Sequence, residues 1–170
     1  IIECIKAGID TIEHGPDIPD EYLDVMKEKG LTLVPTLAIY KILSEGVGVL
    51  SDFMVERSLK VTNQQRDTFG RARAKGVRIA LGTDAGSPLF GPHPVAFKEM
   101  HMMNLYGMSK EEVVTSATLT AAEVLGMEHE IGSVEPGKLA DLLVLETNPY
   151  EDLDAFTKHL VSVYKEGMLV

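Results

Sequence analysis

Apolar residues recur in two alternating rhythms over the first three quarters of the chain. Short runs rich in Val, Ile and Leu at 9–14, 31–37 and 77–81 each stop at a glycine, proline or aspartate cluster. Buried parallel strands read this way where they end in tight loops. Between them lie stretches of helical period. Residues 1–8 read as the end of a helix stopped by Gly8, and Asp17, Pro19 and Asp20 open another. That second helix carries Tyr22, Leu23 and Met26 on one stripe and stops at Gly30. Pro35 cannot donate a ladder hydrogen bond and is expected at a strand end. Residues 40–52, with Gly46 and Gly48, read as a loop or short helix over the strand mouths. Residues 55–75 read as a longer helix with Val55, Leu59, Phe69 and Ala72 inward and Gly76 as its stop. A helix at 94–106 follows, its Met100, Met102 and Met103 filling core. Ser109 with Glu112 forms a capping box, Thr120 with Glu123 repeats the device, and Gly126 closes that last helix. Such alternation predicts an α/β fold with a parallel sheet and crossover helices. From residue 131 the rhythm changes. A turn at 134–137, a strand at 140–146 and a hairpin across 159–170 imply a second unit, dividing the chain at 1–130 and 131–170.

Composition narrows the classes. The chain has 170 residues, 45% hydrophobic and 25% charged, with a formal net charge of −10. Nucleic acid is not an expected partner, since its phosphates would be repelled. The lone Cys4 permits no internal disulfide and fits a reducing, cytoplasmic setting. No apolar run is long enough to span a bilayer, so no membrane association is expected. The chain opens on Ile1, from which a longer reading frame is expected.

Candidate chemistry gathers at the strand ends. The strand at 77–81 runs into Gly82-Thr83-Asp84-Ala85-Gly86, placing Asp84 at its C-terminal mouth, where α/β folds do chemistry. A carboxylate there is a metal ligand, a general base, or a cap on the loop's N–H groups. The glycines and Thr83 read as shaping that loop, with Thr83 placing Asp84. The strand at 9–14 ends in His14-Gly15. Parallel strands end on one face, so His14 and Asp84 can converge, and imidazole and carboxylate suit a divalent ion such as zinc. By itself a strand-end histidine is as readily a hydrogen-bonded structural residue. Glu13 alternates to the opposite face and is not the obvious partner of the ring. His101, His129 and His159 have no motif around them.

Thr11-Ile12-Glu13-His14-Gly15, Leu81-Gly82-Thr83-Asp84-Ala85-Gly86, Pro92-His93-Pro94 and the tail from Ile131-Gly132-Ser133 to Ala140-Asp141-Leu142 together resemble the metal-dependent amidohydrolases, in the branch of imidazolonepropionase-like enzymes and Xaa-Pro dipeptidases. The resemblance implies the last three strands and helices of a (β/α)8 TIM-type barrel, plus strands of a flanking β-sandwich. It implies hydrolysis of amide, cyclic amide or dipeptide C–N bonds by metal-activated water, most simply on zinc. Asp84 would be metal ligand and proton acceptor, His14 the sixth-strand metal ligand, and His93 a substrate-facing loop residue. The family's His-x-His pair, carboxylated lysine and fifth-strand histidine have no counterpart in this chain, so the chain alone is expected to be inactive. The competing reading is a non-catalytic α/β module that pairs with itself or a partner chain. Three strands without the rest of a barrel would leave edges and faces uncovered, and a homo-oligomer is expected on that ground.

Overall fold

A computed structural model of the chain describes residues 1–46, 49–86 and 95–170, with the backbone alone at Val95. His93 lies outside the described residues.

Three short strands, β1 (Thr11–Glu13), β2 (Thr32–Val34) and β3 (Arg78–Ile79), form a parallel sheet in the order β1-β2-β3. Ile12 pairs with Leu33, and Leu33 with Ile79. This row crosses the sheet on one face, and all three side chains enter one buried cluster with Ile5, Leu23, Met26, Phe69, Ala72, Met100 and Met103. The neighbouring row, Thr11, Thr32 and Arg78, points the other way, as the two-residue period of a strand requires. There the Arg78 Nε donates to Thr32 Oγ1 at 2.6 Å, and Glu13 and Arg78 are exposed. This face is polar at Thr11, Thr32 and Arg78, with Thr32 fully buried beneath the arginine.

The covering layer consists of α1 (Ile2–Ala7), α2 (Asp20–Lys29), α4 (Asp52–Lys75), α5 (Val95–Leu105) and α6 (Lys110–Ala117), while α3 (Leu37–Ser44) follows β2 directly. Gly8, Gly30 and Gly76 end α1, α2 and α4 in left-handed conformation. Both bonds of the Ser109–Glu112 capping box are made at the start of α6. The expected second box is not. The chain turns at Thr118, φ −123° and ψ −89°, so α7 (Leu119–Val124) begins one residue before Thr120 and leaves it inside the helix. The helix expected to open near Asp17 begins at Asp20, with Pro19 as its N-cap.

The inward face of α4 also differs from the expectation. Ser58, Thr62, Gln65, Phe69 and Ala72 are buried at steps of four, three, four and three, whereas Leu59, one position off that stripe, is half exposed. The polar half of the stripe has local partners: Thr62 Oγ1 donates to the Ser58 carbonyl at 2.8 Å.

A second sheet follows in the chain: β4 (Leu142–Leu145), β5 (Leu160–Lys165) and β6 (Met168–Leu169), antiparallel, with α8 (Ala155–Lys158) before β5. Asp141 holds its hairpin, accepting from Lys165 Nζ at 2.5 Å and from the Glu166 N–H at 2.8 Å. Val161, Met168, Leu169 and Val170 on this sheet are each more than 60% exposed. Val49, Phe53, Leu105, Leu125 and Val134, outside this sheet, are exposed to the same degree or more. Among the described residues no helix is long and apolar enough to cross a membrane.

Candidate metal centre

Each parallel strand is followed by a non-glycine residue at positive φ: His14 (φ 65°) directly after β1, Thr36 (φ 48°) two residues after β2 and Asp84 (φ 53°) five residues after β3. Such a backbone costs a residue with a Cβ of the order of 1 kcal/mol or more, and it persists where the surroundings fix it. Two more lie elsewhere, Asp17 (φ 58°) and Glu166 (φ 52°), so such backbone is not confined to the strand ends. The β2 strand lies between β1, which His14 follows directly, and β3, whose trailing loop carries Asp84.

The His14 N–H donates to the Val34 carbonyl at 2.9 Å, which extends the β1–β2 ladder to the strand end. Its ring is half buried, with Nδ1 2.7 Å from Thr36 Oγ1 and the Tyr40 ring edge-on at 5.9 Å between centroids. In the tautomer with its proton on Nδ1 the ring donates to Oγ1, and the Nε2 lone pair is left open. Metal-bound imidazoles are commonly held this way by their second nitrogen. Thr36, one strand over, is thus the partner that Glu13, exposed on the far side, is not.

Gly15 lets the chain leave the strand. At φ +57°, a Cβ on it would lie 2.5 Å from Leu33 Cδ1 and 3.2 Å from Ile18 Cδ1. Gly15→Ala is expected to cost about 1–3 kcal/mol through the left-handed backbone and displacement of Leu33. Urea unfolding measures this, and a loss below about 0.5 kcal/mol would show a strand end that relaxes freely.

Asp84 is exposed. Thr83 Oγ1 accepts from the Ala85 N–H at 3.3 Å, so the threonine caps the turn. Among the described residues the Asp84 carboxylate has no hydrogen-bond or ion-pair partner. Gly82 is set by space: a Cβ there would lie 2.4 Å from Val34 Cγ1. The remaining histidines have ordinary surroundings. His101 pairs with Asp154 at 3.1 Å, His159 lies 3.4 Å from Glu146, and His129 is 3.5 Å from Glu128.

An imidazole held at Nδ1 and a carboxylate with no partner among the described residues fit part of the donor set of a divalent ion. They do not complete it, because a catalytic zinc takes three protein ligands, and among the described residues no group of three or more His, Cys, Asp or Glu gathers.

Two buried polar residues near this edge escape a reading of periodicity. Gln65 Nε2 donates to the carbonyls of Pro35 at 2.9 Å and His14 at 3.2 Å, which ties the ends of β1 and β2 together. Glu99, fully buried on α5, accepts from the Leu37 and Ala38 N–H groups at 2.8 and 2.7 Å. Burial pushes its carboxyl up from the ordinary 4.5 to about 7, against the opposing pull of those two hydrogen bonds. Each residue carries a faint signal, being a polar side chain in phase with an apolar stripe: Gln65 with Phe69 and Ala72, Glu99 with Met103 and Tyr106.

The sign of the resulting pH dependence follows from the raised value. Between about pH 4.5 and 7 the folded state keeps a proton that the unfolded state has released. Stability from this group is therefore full below the unfolded value and is lost as pH rises through the folded one. Urea midpoints of the protein and of Glu99→Gln at pH 5 and pH 8 are expected to show the wild type losing ground to the variant as pH rises. An unchanged difference would contradict the burial effect.

The family model of the amidohydrolase family matches residues 1–170. The chain belongs to the amidohydrolase family. Ochratoxinase of Aspergillus niger is 31% identical over 174 residues, spanning 99% of this chain and 35% of its own length. Imidazolonepropionase of Clostridium tetani is 33% identical over 136 residues, 74% of this chain and 32% of the relative. Among solved structures, a Xaa-Pro dipeptidase with methionine bound in its active site superposes with a TM-score of 0.87 at 37% identity. It is matched over 98% of this chain and 41% of its own. A prolidase complexed with N-methylphosphonate-L-proline gives a TM-score of 0.85 at 27% identity, covering 99% of this chain and 42% of that one. This amidohydrolase chain thus spans 35% of the ochratoxinase's length, and its fold fits a part of the TIM-barrel type of structure those enzymes share.

Proposed function

We propose that this amidohydrolase chain forms the His14–Asp84 side of a hydrolytic metal centre that cleaves C–N bonds in small amides, cyclic amides or dipeptides. In this reading the parallel sheet is the last three strands of the barrel, residues 131–170 contribute strands of a flanking β-sandwich, and the division falls near residue 130. The observation that carries it is the placement of both residues after strands of one parallel sheet, His14 with Nδ1 on Thr36 Oγ1 and Asp84 with no hydrogen-bond or ion-pair partner among the described residues. His14 and Asp84 would hold the ion, most simply zinc. A divalent ion there lowers the pKa of bound water and polarises a carbonyl. Asp84 accepts the proton of the attacking water on a carboxylate oxygen and returns it to the leaving nitrogen. His93 is assigned to the substrate side of the same edge. The exposed apolar residues of β5 and β6 are assigned to an association surface, with a second copy or with more of the same fold.

Zinc analysis of the purified protein, together with release of proline from an Xaa-Pro dipeptide, tests this function. Bound zinc with turnover supports it. Silence of the chain by itself is expected from its incomplete ligand set; a parent enzyme that carries the remaining ligands, folds and still neither binds zinc nor releases proline supports the competing reading, a non-catalytic module.

A further inference from the structure

Both contacts on the His14 ring come from one place. Thr36 precedes α3 and Tyr40 lies in its first turns. The N-terminus of α3 has no side-chain cap from Thr36, whose hydroxyl is engaged with His14 instead. A helix start leaves its first N–H groups without intrahelical partners. At α3 two of these, Leu37 and Ala38, are taken by the two oxygens of Glu99, more than sixty residues further along the chain. Only a carboxylate offers both as acceptors. An amide offers one and sets an NH2 against the other N–H. Glu99 has zero exposure, so water cannot replace either bond.

We propose that Glu99 is a positioning residue for His14. By clamping the start of α3 it holds Thr36 in its left-handed conformation and keeps Tyr40 against the imidazole. The ring is thereby fixed with its proton on Nδ1 and its Nε2 lone pair facing outward. Gln65 secures the backbone of the same two strand ends from α4, so ring and backbone are held from different helices. The consequence for metal affinity rests on the reading of His14 as a ligand; the orientation of the ring does not.

The test is nitrogen NMR at pH 8, where Glu99 is ionised, of the protein labelled with ¹⁵N-histidine, comparing wild type, Glu99→Gln, Thr36→Val and the double variant. Wild type is expected to show one His14 tautomer, protonated at Nδ1. Thr36→Val removes the acceptor and should average the two tautomers. Glu99→Gln should do the same at a distance, with faster amide exchange at Leu37 and Ala38, and the double variant should add little to Thr36→Val. If Glu99→Gln does not fold, Glu99→Asp keeps the charge and shortens the reach, and is read identically. In whichever variant the Leu37 and Ala38 amides are released, an unmoved His14 tautomer overturns the proposal. Titration with zinc alone separates it from the functional reading. Zinc that shifts Nε2 in the wild type and binds the Glu99 variant about ten- to a hundredfold more weakly supports both. A Glu99-dependent tautomer with no zinc response supports the positioning role and sinks the ligand role. A zinc shift of equal affinity in all variants, with an unmoved tautomer, does the reverse.

Discussion

Asp84→Asn in the intact parent enzyme is expected to lower turnover of an Xaa-Pro dipeptide about a thousandfold or more, with the fold unchanged. The substitution keeps size and shape. Because the residue is exposed and engages no partner among the described residues, no buried bond is lost. Its left-handed backbone (φ 53°) is one that asparagine adopts as readily as aspartate. What changes is proton affinity: an amide oxygen can touch an ion but cannot take a proton from water. A thousandfold loss corresponds to about 4 kcal/mol of barrier, the size expected when one group serves as both ligand and base. The measurement is kcat at saturating zinc, with circular dichroism and urea midpoint confirming the fold. A variant that keeps a tenth of wild-type activity would remove Asp84 from the proton transfer.

Much of this edge was legible because it depends on local chemistry. Gly8, Gly30 and Gly76 end helices as their positions implied, and Ser109 and Glu112 make both bonds of their box. The position of His14 directly after β1 follows from a short apolar run that stops at glycine, whereas β3 ends at Ile79, two residues before the expected end, which leaves Asp84 five residues beyond it in a loop. The misses have tertiary causes. Leu59 looked inward because it is apolar, but the face of α4 that packs is chosen by what it must reach, and Gln65 is needed for the carbonyls of His14 and Pro35. The helix at α3 starts three residues earlier than the glycines suggested, because its first turn is capped from another element. A carboxylate in an apolar stripe is normally costly. Only the position of Leu37 and Ala38, set by a strand and a turn far away in sequence, makes it favourable. Thr36 as the partner of His14 is likewise a neighbour across the sheet, which no spacing along the chain announces.

His14→Ala is expected to weaken zinc binding by about a hundredfold or more, since loss of a ligand should at least match the ten- to hundredfold cost of losing a supporting contact. The ring is half buried, and its removal leaves Thr36 Oγ1 without its partner and Tyr40 without the edge it packs on. A small loss of stability is therefore expected beside the loss of metal, and the two must be separated. Thr36→Val supplies the comparison: it removes the same hydrogen bond and keeps the imidazole. If His14 is a ligand, metal content after dialysis falls much further in His14→Ala than in Thr36→Val, while the two urea midpoints stay close. If His14 is only a structural residue, the midpoints fall together and metal content follows neither substitution. Backbone strain adds a second discriminator. Alanine at φ 65° gains nothing from the left-handed conformation, so a structural His14 would let the strand end relax, with faster amide exchange at His14 and Gly15. Retention of the strained geometry with loss of zinc would show that Gln65 and the β1–β2 ladder hold the backbone, and that the imidazole is there for the ion.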